Sequence, residues 1–187
     1  MLTRISKRIV RFLNENGQMD TEQQEICLYG TEVALYTVIS TLGLLFVGGT
    51  IGMLKESFII IAVYYTNQTV GGGFHCSTHW RCFLTMAIGL TVTLLTYLLP
   101  DLQHAYLFLT IVSISILWIR PLILHHNKEY LEPKRKQLTI ISRRTTIAMI
   151  ILLVTVYATS FNIQAFCLGI ISSAISRLAA IRNKETT

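Results

Sequence analysis

Six apolar runs, separated by short charged or helix-breaking segments, leave this chain few folds to choose from. They cover residues 33–54, 57–70, 83–99, 102–119, 147–161 and 163–181. The first meets the requirement of about 20 residues for crossing a hydrocarbon core. Its only interruptions are Thr, Ser and Gly, which helices tolerate in lipid. The second is short and reaches Gly71, Gly72 and Gly73 before it spans comfortably. Lys55-Glu56, Pro100-Asp101 and Arg120-Pro121 mark run ends. Ser172, Ser173, Ser176 and Arg177 inside the last run predict a face turned to protein or water rather than lipid. Charged residues make up only 14% of the 187 positions, against about 25% in a soluble domain. That is too little charge to cover a soluble surface, and the apolar content excludes a disordered chain. The length excludes a large multidomain enzyme.

Residues 1–14 read MLTRISKRIVRFLN, with Leu2, Ile5, Ile9, Phe12 and Leu13 at helical spacing and Arg4, Lys7, Arg8 and Arg11 on other faces. Such a basic amphipathic helix lies in the headgroup region with its apolar face down. It lacks the uninterrupted apolar stretch of a signal peptide. Residues 14–32 are polar and acidic and read as a turn followed by a helix entering the bilayer. The expected fold is therefore all-α. It is a polytopic membrane protein of about six transmembrane helices with an N-terminal amphipathic interfacial helix. Residues 1–187 form one integral membrane domain, with the interfacial helix at 1–14 and the bundle at 33–181.

Charge tests that topology. With both termini placed in the cytoplasm, fifteen of the 16 Lys and Arg residues fall on the inner side and only Lys55 falls outside. Dropping the second or the fifth run moves the basic segment 121–144 or the tail to the wrong side. The net charge of +6 thus concerns orientation and contact with the lipid bilayer, and no nucleic-acid partner is expected.

Residues 71–82, GGGFHCSTHWRC, carry the chemistry. His75, Cys76, His79 and Cys82 crowd into eight positions at the cytoplasmic end of the second and third runs. Ionisable groups at membrane depth are costly without work or partners, so the cluster is a functional-site candidate. The glycines break a helix and let backbone approach a substrate. A straight helix would put His75 and Cys82 on one face but about 10 Å apart along the axis, too far for proton transfer. Either the stretch folds back or another residue is the base. His79 with Cys82, and Cys76 with His79, are equally close, and spacing does not choose among these pairs.

A thiol–imidazole pair suits acyl transfer, because the imidazole takes the proton and the thiolate attacks a peptide carbonyl. No Asp or Glu lies within the segment, so a dyad is expected rather than a triad. Zinc binding is the competing reading, but the cluster lacks a second, distant ligand pair; no metal and no cofactor is expected. A small transporter or metal-binding membrane protein built on the four residues is the alternative function. Cys27 and Cys167 read as small buried apolar residues.

Gly72-Gly73-Phe74-His75 followed by Cys82 resembles the AgrB family (accessory gene regulator B), small polytopic membrane cysteine endopeptidases of bacterial quorum sensing. The resemblance extends to the basic start, the apolar runs and the polar loop with Glu132-Pro133-Lys134-Arg135-Lys136, and so covers essentially the whole chain. It implies Cys82 as nucleophile and His75 as base. It also implies an AgrD-like propeptide substrate with an amphipathic leader and an acidic tail. Physical features suit such a partner: Gly72 and Gly73 allow close backbone approach, and Lys134, Arg135 and Lys136 with Arg143 and Arg144 form a cytoplasmic basic patch for the acidic tail, one that topology and anionic lipid explain equally well. The expected activity cuts off the C-terminal tail through a Cys82 thioester and cyclises the signal region to a thiolactone or lactone. The expected location is the bacterial cell membrane, multi-pass, with the site near the cytoplasmic face, in a homodimer. Members of the family often carry Arg one to two turns before the His, where this chain has Gln68.

Overall fold

The computed structural model describes residues 2–17, 19–74, 76, 78–99, 102–123, 132–159 and 162–185. Only the backbone is described for Leu2, Asn16, His79, Gln103 and 183–185. His75, Pro100, Asp101, Lys128, Glu129, Ser160 and Phe161 lie outside the described residues. The described residues form seven α-helices and no strand: α1 (Leu2–Asn16), α2 (Thr21–Thr50), α3 (Leu54–Gly71), α4 (His79–Tyr97), α5 (Gln103–Ile119), α6 (Glu132–Thr159) and α7 (Ile163–Glu185). Among the described residues each of the six apolar runs is helical over most of its length, and the basic amphipathic start is α1. By length and apolarity four helices qualify as membrane crossings: α2, α4, α6 and α7. Helix α5 is apolar but shorter. Helix α3 is 18 residues long and carries Lys55, Glu56, Asn67 and Gln68. The protein is thus a helical membrane protein.

Two compact units divide the chain, Met1–Phe46 and Val47–Thr187. In the first, Asp20 starts α2 with a reciprocal capping box. Its carboxylate accepts the Gln23 N–H at 2.7 Å, and the Gln23 carboxamide oxygen accepts the Asp20 N–H at 3.4 Å. Both bonds satisfy donors that a helix start leaves open. The turn before it closes where Met19 N–H donates to Asn14 Oδ1 at 2.9 Å.

In the second unit α7 is the central element. Of its most apolar stretch 56% is buried, against 11–17% for the other three crossings. Ala165 through Ile170 are all buried. Val63 of α3, Leu117 of α5 and Phe166, Ile170 and Ala174 of α7 form the core, flanked by Met149, Leu153 and Val156 of α6. Gly169 lets α7 close on α3, since a β-carbon there would lie 2.8 Å from that of Val63. The outer faces keep large apolar side chains exposed, Ile88 and Val92 of α4, Phe108 of α5 and Ile151 of α6 among them, as lipid contact requires. Polar residues within the helices bond to their own backbone. Thr93, Thr110, Thr146 and Ser173 each donate to the carbonyl four residues earlier, at 2.7–3.0 Å.

The basic segment is not a loop throughout. From Glu132 onward it is the first turns of α6. The local chemistry favours this. Pro133 sits in the first turn, where its missing N–H costs nothing. Glu132 complements the positive helix start, and Lys, Arg, Lys, Gln and Leu follow as good helix formers.

A polar cluster marks each end of α3. At its start Tyr97 O–H donates to Asn162 Oδ1 at 3.2 Å, and Asn162 Nδ2 donates to Glu56 Oε1 at 3.4 Å. Asn162 adopts φ 44°, a left-handed conformation that Asn tolerates. At the other end lies Arg177, 2% exposed. Its Nη1 donates to the carbonyls of Leu117 (3.4 Å), Arg120 (3.0 Å) and Pro121 (3.2 Å), and its Nη2 to that of Asn67 (3.3 Å). The Leu117 carbonyl would normally take the N–H four residues on, but that residue is Pro121, which has none. The guanidinium therefore supplies a donor that the end of α5 lacks, and it sits at the negative poles of both helices. Gly71 makes room for it, since a β-carbon there would collide with the guanidinium.

Arg177→Leu is expected to lower unfolding stability in detergent micelles by about 2–5 kcal/mol, because it strands several buried carbonyls at once. Arg177→Lys keeps the charge but not the fork, and falls between. Gly71→Ala acts in the same direction by displacing the guanidinium. Unchanged unfolding midpoints for Arg177→Leu would show that the contact holds nothing.

Candidate active site

The candidate segment is a turn between two helices. Helix α3 ends at Gly71, whose successor Gly72 donates its N–H to the Gln68 carbonyl at 2.9 Å. Gly72 has φ 72°, the left-handed region, and a β-carbon there would lie 2.7 Å from the Ile123 carbonyl oxygen. Only glycine meets both demands. The Gly71 carbonyl accepts the Ile123 N–H at 2.9 Å, which ties the turn to the chain leaving α5. Gly73 packs against the Gln68 side chain with no room for a methyl group. Of the residues that follow, Phe74, Cys76 and Thr78 are non-helical.

Helix α4 starts at Thr78, its N-cap, with φ −132° and ψ 145°; the Thr78 hydroxyl accepts the Arg81 N–H at 3.4 Å. Cys82 N–H makes the first intrahelical bond, to the Thr78 carbonyl at 3.0 Å. Helix α4 thus begins at His79, four positions after residue 75, which lies outside the described residues.

Cys82 thus sits in the first turn of α4 and is buried, while Cys76 in the turn is half-buried. Both thiols lie within electrostatic range of the Tyr64 phenol on α3. The Cys76 sulfur is 3.6 Å from Thr85 Oγ1. His75 lies outside the described residues, and the His79 backbone is the first residue of α4. Trp80 and Phe83 stack at 5.7 Å between ring centres beside the thiol-bearing turn, with Trp80 67% exposed. Cys27 on α2 is half-buried, and Cys167 on α7 is buried beside the core residue Phe166. All four cysteines are free thiols. Among the described residues no three His, Cys, Asp or Glu side chains come together as a metal site.

Lys134, Arg135 and Lys136 project from the first turns of α6 and are exposed. Arg135 reaches Glu132 at 3.5 Å on the surface, a pair worth little in water. Further along α6, Arg143 lies over the Trp118 ring, 5.5 Å from its centre.

Three residues around the segment were not read from its sequence. Tyr64 O–H donates to Ser176 Oγ at 3.3 Å, Phe74 N–H donates to the same oxygen at 3.1 Å, and Thr85 meets Cys76. A signal existed for one of them, since Ser176 breaks the apolar pattern of the last run. Tyr64 and Thr85 are ordinary residues of membrane helices, and only the folded chain brings them to the turn.

The sequence model of the family described as Accessory gene regulator B matches residues 6–177. No curated protein and no solved structure matches the chain. The match runs from α1 to the buried arginine of α7 and takes in the whole glycine turn and the start of α4, so this chain belongs to the AgrB family, membrane proteins of accessory gene regulator quorum sensing.

Proposed function

We propose that the protein is a membrane-embedded cysteine endopeptidase that cuts the C-terminal tail from an AgrD-like propeptide and cyclises the signal region to an autoinducing thiolactone or lactone. The observation that carries this reading is the placement of Cys82. It is a buried thiol in the first turn of α4, seven positions after His75 in the sequence and just beyond the glycines that end α3.

In the proposed reaction the His75 imidazole takes the proton of the Cys82 thiol. The sulfur attacks the carbonyl at the junction between signal region and tail, and a tetrahedral adduct forms. The start of α4 supports that step, since the first N–H groups of a helix have no intrahelical partner and favour negative charge. Here they face the charge that develops on the carbonyl oxygen. The adduct collapses, the C–N bond breaks, and the tail amine leaves with the proton from His75. A thioester on Cys82 remains. A thiol or hydroxyl in the signal region then attacks the thioester, closes the ring and returns a proton to Cys82 by way of His75. Exchange of one thioester for another is nearly balanced, so ring closure needs no ATP. The Trp80–Phe83 stack helps to keep water from the thioester, which would otherwise be hydrolysed.

Gly72 and Gly73 are the proposed backbone platform for the substrate strand. Lys134, Arg135 and Lys136 are the proposed partners of its acidic tail. The site belongs near the cytoplasmic face of the bacterial cell membrane, with both termini on that side, in keeping with the distribution of Lys and Arg. The proposed assembly is a homodimer.

Two outcomes check the reading. With a labelled synthetic precursor carrying leader, cysteine-containing signal region and acidic tail, an acyl adduct should be trapped on the Cys82 sulfur. Cys82→Ala should abolish cleavage, and His75→Ala should slow it by about 10²–10⁴-fold. Cleavage that persists in Cys82→Ala rejects the reading, and His79→Ala losing activity where His75→Ala does not would move the base. Replacing Lys134, Arg135 and Lys136 together by Glu should raise KM on the order of tenfold while kcat changes little. Exposed charge pairs contribute about 0.2–1 kcal/mol each, and the effect should shrink at high salt.

A further inference from the structure

The two residues that flank His75 in sequence are both tied to neighbouring helices. On one side, Phe74 donates its backbone N–H to Ser176 Oγ of α7 at 3.1 Å. That oxygen also receives the Tyr64 O–H of α3 at 3.3 Å. Two donors use both acceptor sites of the hydroxyl, so its direction is fixed from two sides. On the other side, the Cys76 thiol meets Thr85 Oγ1 at 3.6 Å. The Thr85 hydroxyl donates its own proton to the Arg81 carbonyl at 2.9 Å, so the thiol is the donor in that pair. Thr85 stands three residues after Cys82 on the same helix.

We infer that Ser176 and Thr85 are positioning residues: they fix Phe74 and Cys76, the two neighbours of His75 in sequence, and Tyr64 orients the Ser176 hydroxyl. The inference rests on the peptidase reading for its consequence in catalysis. Its need is physical. Three glycines precede the tripeptide, and glycine loses more conformational freedom on ordering than any other residue. Proton transfer requires heavy atoms about 3 Å apart, and a misplacement of about 1 Å can cost on the order of 10²-fold. A chain that follows three glycines therefore gains from outside anchors. Neither Ser176 nor Thr85 belongs to the apolar core of α3, α5, α6 and α7. The bonds made to Phe74 and Cys76 end on the turn itself. Cys76, on this view, acts as a hydrogen-bond donor and not as a second nucleophile.

The test uses the full-length protein in detergent micelles with two readouts. One is cleavage of the labelled synthetic precursor. The other is the rate at which iodoacetamide alkylates Cys82 at neutral pH, read site by site by mass spectrometry. Ser176→Ala should lower kcat by roughly 10- to 100-fold with KM nearly unchanged, and Ser176→Thr should recover most of the rate. Cys76→Ala and Thr85→Val should act in the same direction, with Cys76→Ser recovering. Tyr64→Phe should give a smaller loss. Alkylation of Cys82 should slow in Ser176→Ala, and the further change on adding His75→Ala should be much less than additive, because both act through one imidazole. Ser176→Ala behaving as wild type, or its alkylation loss simply adding to that of His75→Ala, overturns the inference. Should Ser176→Ala lower the unfolding midpoint, the same comparison is made with Tyr64→Phe and Thr85→Val. Failure of the wild type to form an adduct on Cys82 rejects the peptidase reading instead, and the alkylation arm still decides the positioning claim.

Discussion

A guanidinium buried among carbonyls holds the second unit together at one end. Arg177 has no carboxylate partner among the described residues. Its acceptors are the carbonyls of Asn67, Leu117, Arg120 and Pro121, drawn from the ends of two helices. Removing such a cation from water is costly. The cost is offset here because helix ends present several partly negative oxygens, and because Pro121 leaves one of them, that of Leu117, without its ordinary donor. The consequences run outward. Gly71 must lack a side chain, α3 must end beside the chain leaving α5, and the glycine turn must begin there.

From that fixed point the reactive segment is built by subtraction and then by anchoring. The glycines stop α3 and let the backbone turn in a conformation closed to other residues. Thr78 restarts the helix, and Cys82 falls in its first turn. Between the two helix ends, the turn is held by contacts to α7, α4 and the chain after α5.

Much of this was legible in the sequence, and the reasons for the rest are specific. The helices were legible because apolar runs of that length have one stable form in lipid. The boundary at the glycines was legible from local chemistry. Ser176 and Arg177 were visible as exceptions in an apolar run, though what they bond was not. Hydrogen bonds between residues about a hundred positions apart, such as Phe74 to Ser176, leave no local trace. The helical start of α6 was read as part of a polar loop because its charges mask a good helix-forming sequence. The choice of His75 over His79 came from the family resemblance, since spacing left both open.

The rigid start of α6 has a geometric consequence. Successive residues on an α-helix are about 100° apart. Lys134, Arg135 and Lys136 therefore fan over more than half of the circumference instead of lining one edge. An extended anionic strand laid along the rod meets only one of the three head-on. Lys136 and Arg143, seven residues apart, do share a meridian, with about 10 Å between them. A ligand that grips this rod lengthwise reads that interval, and one that touches all three neighbours has to curl around it.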